Sequence, residues 1–302
     1  TQARAAGTPY QTSDPVLAGS KFCCVYRVLD FGSQWFIKEL LHSEEVILTP
    51  EDVLYRAMLY RYYNRPDPFV WFKNNVGRYP LAIDRSGLAE RAWTAYDRAG
   101  GTFFGNAYAM FSGAENPGVR RWQWALGLAG RAIDEVAYDF LKSHGTQAQV
   151  QALLPLPRVG SFMAQQVVTD FNYSFAHRGS ENDFVFDGPG SRRGAERLGW
   201  TGDIDSLARF LQPELLDLVG PACRVPSLMD IQNTLCEFDK YERWSAKPPR
   251  TKYTPKHHWR TPEPVLPKHW PCPQRGHHAQ PLLLPQRGRG SAGPAPRLAR
   301  EG

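Results

Sequence analysis

The chain has 302 residues, enough for one large domain or two small ones, with 42% apolar residues, 13% aromatic residues and a formal net charge of +6. No run of about 18 apolar residues occurs, so no membrane span is expected. Five cysteines at 23, 24, 223, 236 and 272 form no C-x-x-C pair, which argues against a zinc site. The charge is uneven: residues 247–302 hold 11 Lys/Arg against 2 Asp/Glu, and the remainder holds 25 against 28. The basic balance therefore belongs to the tail and is no argument that the body binds nucleic acid.

In chain order, the polar start TQARAAGTPYQTSDP lacks the apolar segment of a secretory signal. With unpatterned cysteines, it points to a reducing, intracellular compartment, cytoplasmic or nuclear. Arg27 and Asp30 in CCVYRVLD have the spacing of an i, i+3 ion pair on a helix. Thr49-Pro50-Glu51-Asp52 is a helix start: a Thr cap, Pro at the first position and acids in the first turn. Val53, Leu54, Ala57 and Met58 then share a face, and the helix should stop near Asn64-Arg65, before Pro66. Its end, LYRYYNRPD, interleaves Arg61, Asn64 and Arg65 with Tyr60, Tyr62 and Tyr63. Such a cluster can stack on an extruded base and hold a backbone, or complete hydrogen bonds in a core. Tyr63, Asn64 and Arg65 are the pocket candidates.

Further helices are predicted at 118–142, 147–154, 161–172, 203–219 and 228–243. Strand signals are few, and FVF at 184–186 is short. Asp239 and Lys240 in CEFDKYER are candidates for the same cleft, or members of a structural network. Residues 247–302 carry 12 of the chain's 25 prolines and five of its eight histidines. Such a segment cannot bury enough surface to offset its ordering entropy. The expected organisation is an all-α domain over 1–249 and a disordered tail over 250–302.

Two stretches carry chemistry. LPLPRVGSFMAQQVVTD, residues 154–170, reads as helix, tight glycine turn, helix. The amides of Arg158, Val159, Gly160 and Ser161, with the next helix's N-terminus, can hold a phosphate without any side chain, while Val159 and Met163 plug the turn into the core. A plain αα-corner has the same pattern. Downstream, ENDFVFDGPGSRRG sets Asp183 before a Gly-Pro-Gly turn and two arginines. Asp183 can face the sugar of a flipped nucleotide, as carboxylates do in glycoside cleavage, or cap a helix. Arg192 and Arg193 can hold phosphate oxygens, or pair with the nearby acids.

LPRVGSFMA resembles the LPGVGxxTA hairpin of helix-hairpin-helix DNA glycosylases. The resemblance implies their helical fold and makes Asp183, 23 residues beyond Gly160, the catalytic carboxylate. Arg158 replaces the first glycine of that hairpin, which puts its torsions in question. Phe162 stands where bifunctional members carry a Schiff-base lysine, so the implied enzyme is monofunctional. A broader resemblance runs through TSDPVL (12–17), CCVYRVLD (23–30), LYRYYNRPD (59–67), FGNAYAM (104–110), GSFMAQQVVTDFNYS (160–174), ENDFVFDGPGSRRG (181–194) and TLCEFDKYER (234–243). In order and spacing these are similar to the α-glutamyl/putrescinyl thymine pyrophosphorylase family, which includes the helical domain of 5-hydroxymethyluracil DNA kinases.

That resemblance implies a DNA-binding, base-flipping domain acting on a hypermodified or 5-hydroxymethylated pyrimidine with glycosylase-like chemistry. The alternative is a non-catalytic module that binds modified DNA beside a separate P-loop kinase or transferase. The chain itself has no G-x-x-x-x-G-K-[ST], so it is not expected to phosphorylate DNA alone. No cofactor, metal or membrane is implied.

Overall fold

The structure, a computed structural model, describes residues 13–42, 46–105, 118–219, 224–247 and 264–270. These form an all-helical body with no strand among the described residues. The helices are α1 (Pro15–Gly19), α2 (Phe31–Trp35), α3 (Pro50–Tyr63), α4 (Asp67–Val76), α5 (Leu88–Arg98), α6 (Arg121–Arg131), α7 (Ala137–Lys142), α8 (Thr146–Leu153), α9 (Ser161–Phe171), α10 (Pro189–Arg197), α11 (Ile204–Val219) and α12 (Leu228–Ala246). The helix expected over 118–142 is broken into α6 and α7 by a π-helical turn, Ala132–Val136. A second π turn, Phe36–Leu41, continues α2.

Helix α3 is the axis of the larger core. Its start is fixed as the sequence suggests: Thr49 and Asp52 form a reciprocal capping box and Pro50 takes the first turn. It ends at Asn64, which adopts left-handed torsions at φ 47. From Asp52 to Tyr63 every residue of α3 is buried, so it is enclosed on all sides and not merely on one face. Two arginines inside it need partners. Arg56 donates to the Pro80 carbonyl at 2.7 Å, and Arg61 reaches Asp170 on α9. Helices α6 and α9 flank α3, and Tyr60, Tyr63, Phe69, Trp93 and Phe103 fill one side of it. Burying such side chains contributes on the order of 2 kcal/mol each.

A smaller core joins α10, α11 and α12 through Val185, Ala195, Ile204, Leu207 and Leu235. Contact between α10 and α12 is close because Gly190 and Gly194 lie one turn apart against Cys236 and Leu235. The FVF stretch is no strand. Its backbone is satisfied by helix side chains: Val185 N–H donates to Asp205, Phe186 N–H to Gln165, and the Phe184 and Phe186 carbonyls accept from Gln165 and Gln232.

One described segment lies past the boundary expected at 249. Residues 264–270 belong to the helical unit. Gln34 exchanges two hydrogen bonds with the Val265 backbone, at 2.9 and 3.1 Å, and His269 stacks on His177. The rest of the tail lies outside the described residues, as do Cys223, Cys272 and most of the FGNAYAM motif.

Candidate nucleic-acid interface

The turn between α8 and α9 is tight. Leu156 N–H donates to Leu153 and Val159 N–H donates to Leu156. Leu156, Val159 and Met163 are buried beneath it. Arg158 takes φ 63, the left-handed conformation that a glycine would adopt freely. The arginine therefore does not prevent the turn. It holds it at a local backbone cost of about 1 kcal/mol. Gly160 follows in extended torsions as the N-cap of α9, without a side-chain cap. A Cβ built on Gly160 would meet nothing within 4 Å, so there is space beside this N-cap position.

One outcome follows directly. Arg158→Gly should leave stability within about 1 kcal/mol of wild type, since relief of strain and the greater freedom of the unfolded chain oppose each other. Urea unfolding checks this. A larger loss would mean that the arginine side chain itself holds the turn.

Asp183 is exposed, and its Oδ2 accepts N–H groups from Ser180 at 2.8 Å and Thr146 at 3.2 Å. Thr146 is the first residue of α8, so this carboxylate caps that helix. Arg192 pairs with Asp187 and donates to the Gly202 carbonyl. Arg193 donates to Asp239 at 3.0 Å, and Arg197 and Arg243 converge on the same carboxylate at 2.9 and 3.1 Å. Burial pushes the Asp239 carboxyl up, but the Arg197, Arg193 and Arg243 hydrogen bonds outweigh it and hold it below the usual range. Lys240 pairs with Glu237 and lies over the rings of Phe22 and Trp244.

The tyrosine cluster lies in the core. Tyr63 is wholly buried among Phe69, Trp93, Phe103 and Phe104, and its hydroxyl donates to the Trp122 carbonyl. No ring face is open to a base. Asn64 ends α3 with its backbone carbonyl against Gly105, and Arg65 pairs locally with Asp67. The three candidates form no pocket around Tyr63.

A buried polar network behind the turn is absent from the sequence reading. Arg27 donates to Gln166 at 3.2 Å, to Tyr173 at 3.1 Å and to Asp170 at 3.1 Å. Asp170 also takes Arg61 at 2.7 Å. The guanidinium of Arg27 thus serves α9, while Asp30 accepts the Cys24 N–H; the expected i, i+3 reading misses this long-range link. Tyr173 donates to Glu181, and Arg224 bridges Glu181 and Asp230 at 2.6 and 3.1 Å. Burial, with Glu181 beside it, pushes the Asp230 carboxyl up to about 6. Burial likewise raises the Tyr173 hydroxyl. The missed signal is Gln166, Asp170 and Tyr173 at i, i+4 and i+7. A polar stripe on an apolar helix calls for buried partners.

This network joins the RVLD, QQVVTDFNY and END segments. Residues 1–250 match the family described as 5-hmdU DNA kinase, helical domain. The chain belongs to that family. No curated protein matches it, and no solved structure does. In this family member, the 264–270 segment lies beyond the matched region. Among the described residues, no cluster of His, Cys, Asp and Glu could hold a metal ion, and no helix is long and apolar enough to cross a membrane.

Proposed function

We propose that the chain is a DNA-binding module that grips a backbone phosphate at the 154–160 turn. It presents a 5-hydroxymethylated or otherwise modified pyrimidine to a separate P-loop kinase or transferase. The observation that carries this reading is the start of the 11-residue helix α9, which has no side-chain cap and free space beside its N-cap Gly160. The first amides of a helix lack intrahelical acceptors and sit at the positive end of its dipole, a natural seat for an anion. Arg158 adds a cation beside it. Membership of a family described by a DNA kinase's helical domain supports modified DNA as the ligand.

Base flipping with release of the base draws on the same turn and on Asp183. The partners of Asp183 favour binding over release. One of its oxygens already serves two backbone amides. It also sits at the far end of α8 from the turn, about 12 Å away at 1.5 Å per residue. The test offers duplex and single-stranded DNA containing thymine or 5-hydroxymethyluracil at two salt concentrations. Binding is measured by anisotropy and free base by mass spectrometry. Preference for the modified DNA without released base supports the module. Released base that disappears in Asp183→Asn would establish the glycosylase reading instead. Equal, weak binding to every DNA would remove both.

A further inference from the structure

The GPGSRRG segment builds a feature that the turn does not explain. Gly190 and Gly194 let α10 lie against the backbone of α12 near Cys236 and Leu235. That approach brings Arg193 and Arg197 of α10, and Arg243 of α12, onto the carboxylate of Asp239. Asp239 is 1% exposed at its side chain, whereas the three arginines are 50%, 37% and 47% exposed. Each guanidinium donates its Nε–H to Asp239, and the terminal amino groups have no partner among the described residues. Glu196 and Glu242 share these helices but form no ion pair with the cluster among the described residues.

One buried carboxylate against three guanidiniums leaves positive charge in excess and fixes three planar forks at the surface. Fixed forks suit an oxyanion with several oxygens better than a point charge does. The cluster also lies near the turn. Gly188, the N-cap of α10, abuts the Phe162 ring in the first turn of α9. Arg193 and Arg197 follow about 7.5 and 13.5 Å further along α10 at 1.5 Å per residue. That is the reach of a few nucleotides at about 3.4 Å of rise each.

We propose that Arg193, Arg197 and Arg243, templated by Asp239, form a second phosphate site. Resting on the DNA-binding reading, it holds a backbone phosphate a few nucleotides from the one at the turn. The site reads charge and geometry, not base identity. Asp239 orients the three arginines and does not touch the phosphate.

The experiment measures affinity of the full chain for a labelled DNA oligonucleotide across a salt series. The variants are Arg243→Gln, Arg193→Gln/Arg243→Gln and Arg243→Lys, with Arg131→Gln, on the exposed side of α6, as control. Arg243→Gln should weaken binding several-fold and reduce the salt slope by about one phosphate contact. The double variant should lose about two contacts, with preference among bases unchanged. Arg243→Lys keeps the charge and loses the fork, so its affinity should drop while its slope stays. It serves as the informative variant if Arg243→Gln does not fold. Arg131→Gln should behave as wild type.

Unchanged affinity and slope in the folded arginine variants, with Gly160→Asp still impairing binding, would overturn the second site and leave the turn standing. If the wild-type chain binds no DNA, the DNA-binding reading fails, and calorimetry with inorganic phosphate decides the cluster alone. Phosphate binding lost in the double variant would keep a phosphate site with a free-phosphate source. No phosphate binding would overturn it.

Discussion

Asp170→Asn should destabilise the fold by about 3–5 kcal/mol, although it changes almost no volume. Asp170 is wholly buried and receives Arg27 from the N-terminal region and Arg61 from α3. Removing its charge leaves two buried guanidiniums without the counter-charge they share. The cost of an uncompensated buried charge far exceeds that of a lost surface pair. The comparison is Asp134→Asn, which breaks the exposed pair with Arg85 and should cost at most about 1 kcal/mol. Urea unfolding of both variants separates the cases. A loss below about 1 kcal/mol at Asp170 would mean that water or another group neutralises the arginines.

Gly194→Ala is the second large effect, expected at about 2–3 kcal/mol. A Cβ there would lie 2.2 Å from the Leu235 carbonyl oxygen and 2.9 Å from its carbon. Both are backbone atoms, so no side-chain rotation relieves the contact. Either α10 moves away from α12 or the helices strain, and Arg193 and Arg197 then lose their register on Asp239. Gly127→Ala is the counterpart. Gly127 lies inside α6 and its Cβ would meet nothing within 4 Å, so alanine should stabilise by up to about 1 kcal/mol through helix propensity. A Gly194→Ala protein as stable as wild type, or more so, would mean that the close approach of α10 and α12 is wrong.

Neither position was legible in the sequence, whereas features set by neighbouring residues were. The start of α3 rests on chemistry within four residues, Thr49 to Asp52, and local patterns of that kind read directly. The turn at 154–160 was also visible, because Val159 and Met163 anchor it within a few residues, although its left-handed torsion falls on Arg158 and not on Gly160. Helix α10 was not: GPGSRR has two glycines and little apolar content, and its helicity depends on packing against α12. The long-range role of Arg27 was hidden for the same reason. Its carboxylate partner is 143 residues away, and a nearby Asp30 offered a local substitute. Tyr63 shows the ambiguity of tyrosine, whose ring suits a core and whose hydroxyl suits a surface. Here one carbonyl from Trp122 satisfies the hydroxyl and the ring stays inside.

Gly160→Asp tests the central claim most directly. The position has φ −80 and open space around its Cβ, so an aspartate fits. As an N-cap it should leave stability unchanged or raise it by a few tenths of a kcal/mol. Its carboxylate would occupy the α9 amides and repel a phosphate. DNA affinity measured by anisotropy at low salt should fall about ten-fold or more, equivalent to about 1.4 kcal/mol, while the melting temperature holds. Wild-type affinity in a folded Gly160→Asp protein would contradict the phosphate-binding role of the turn.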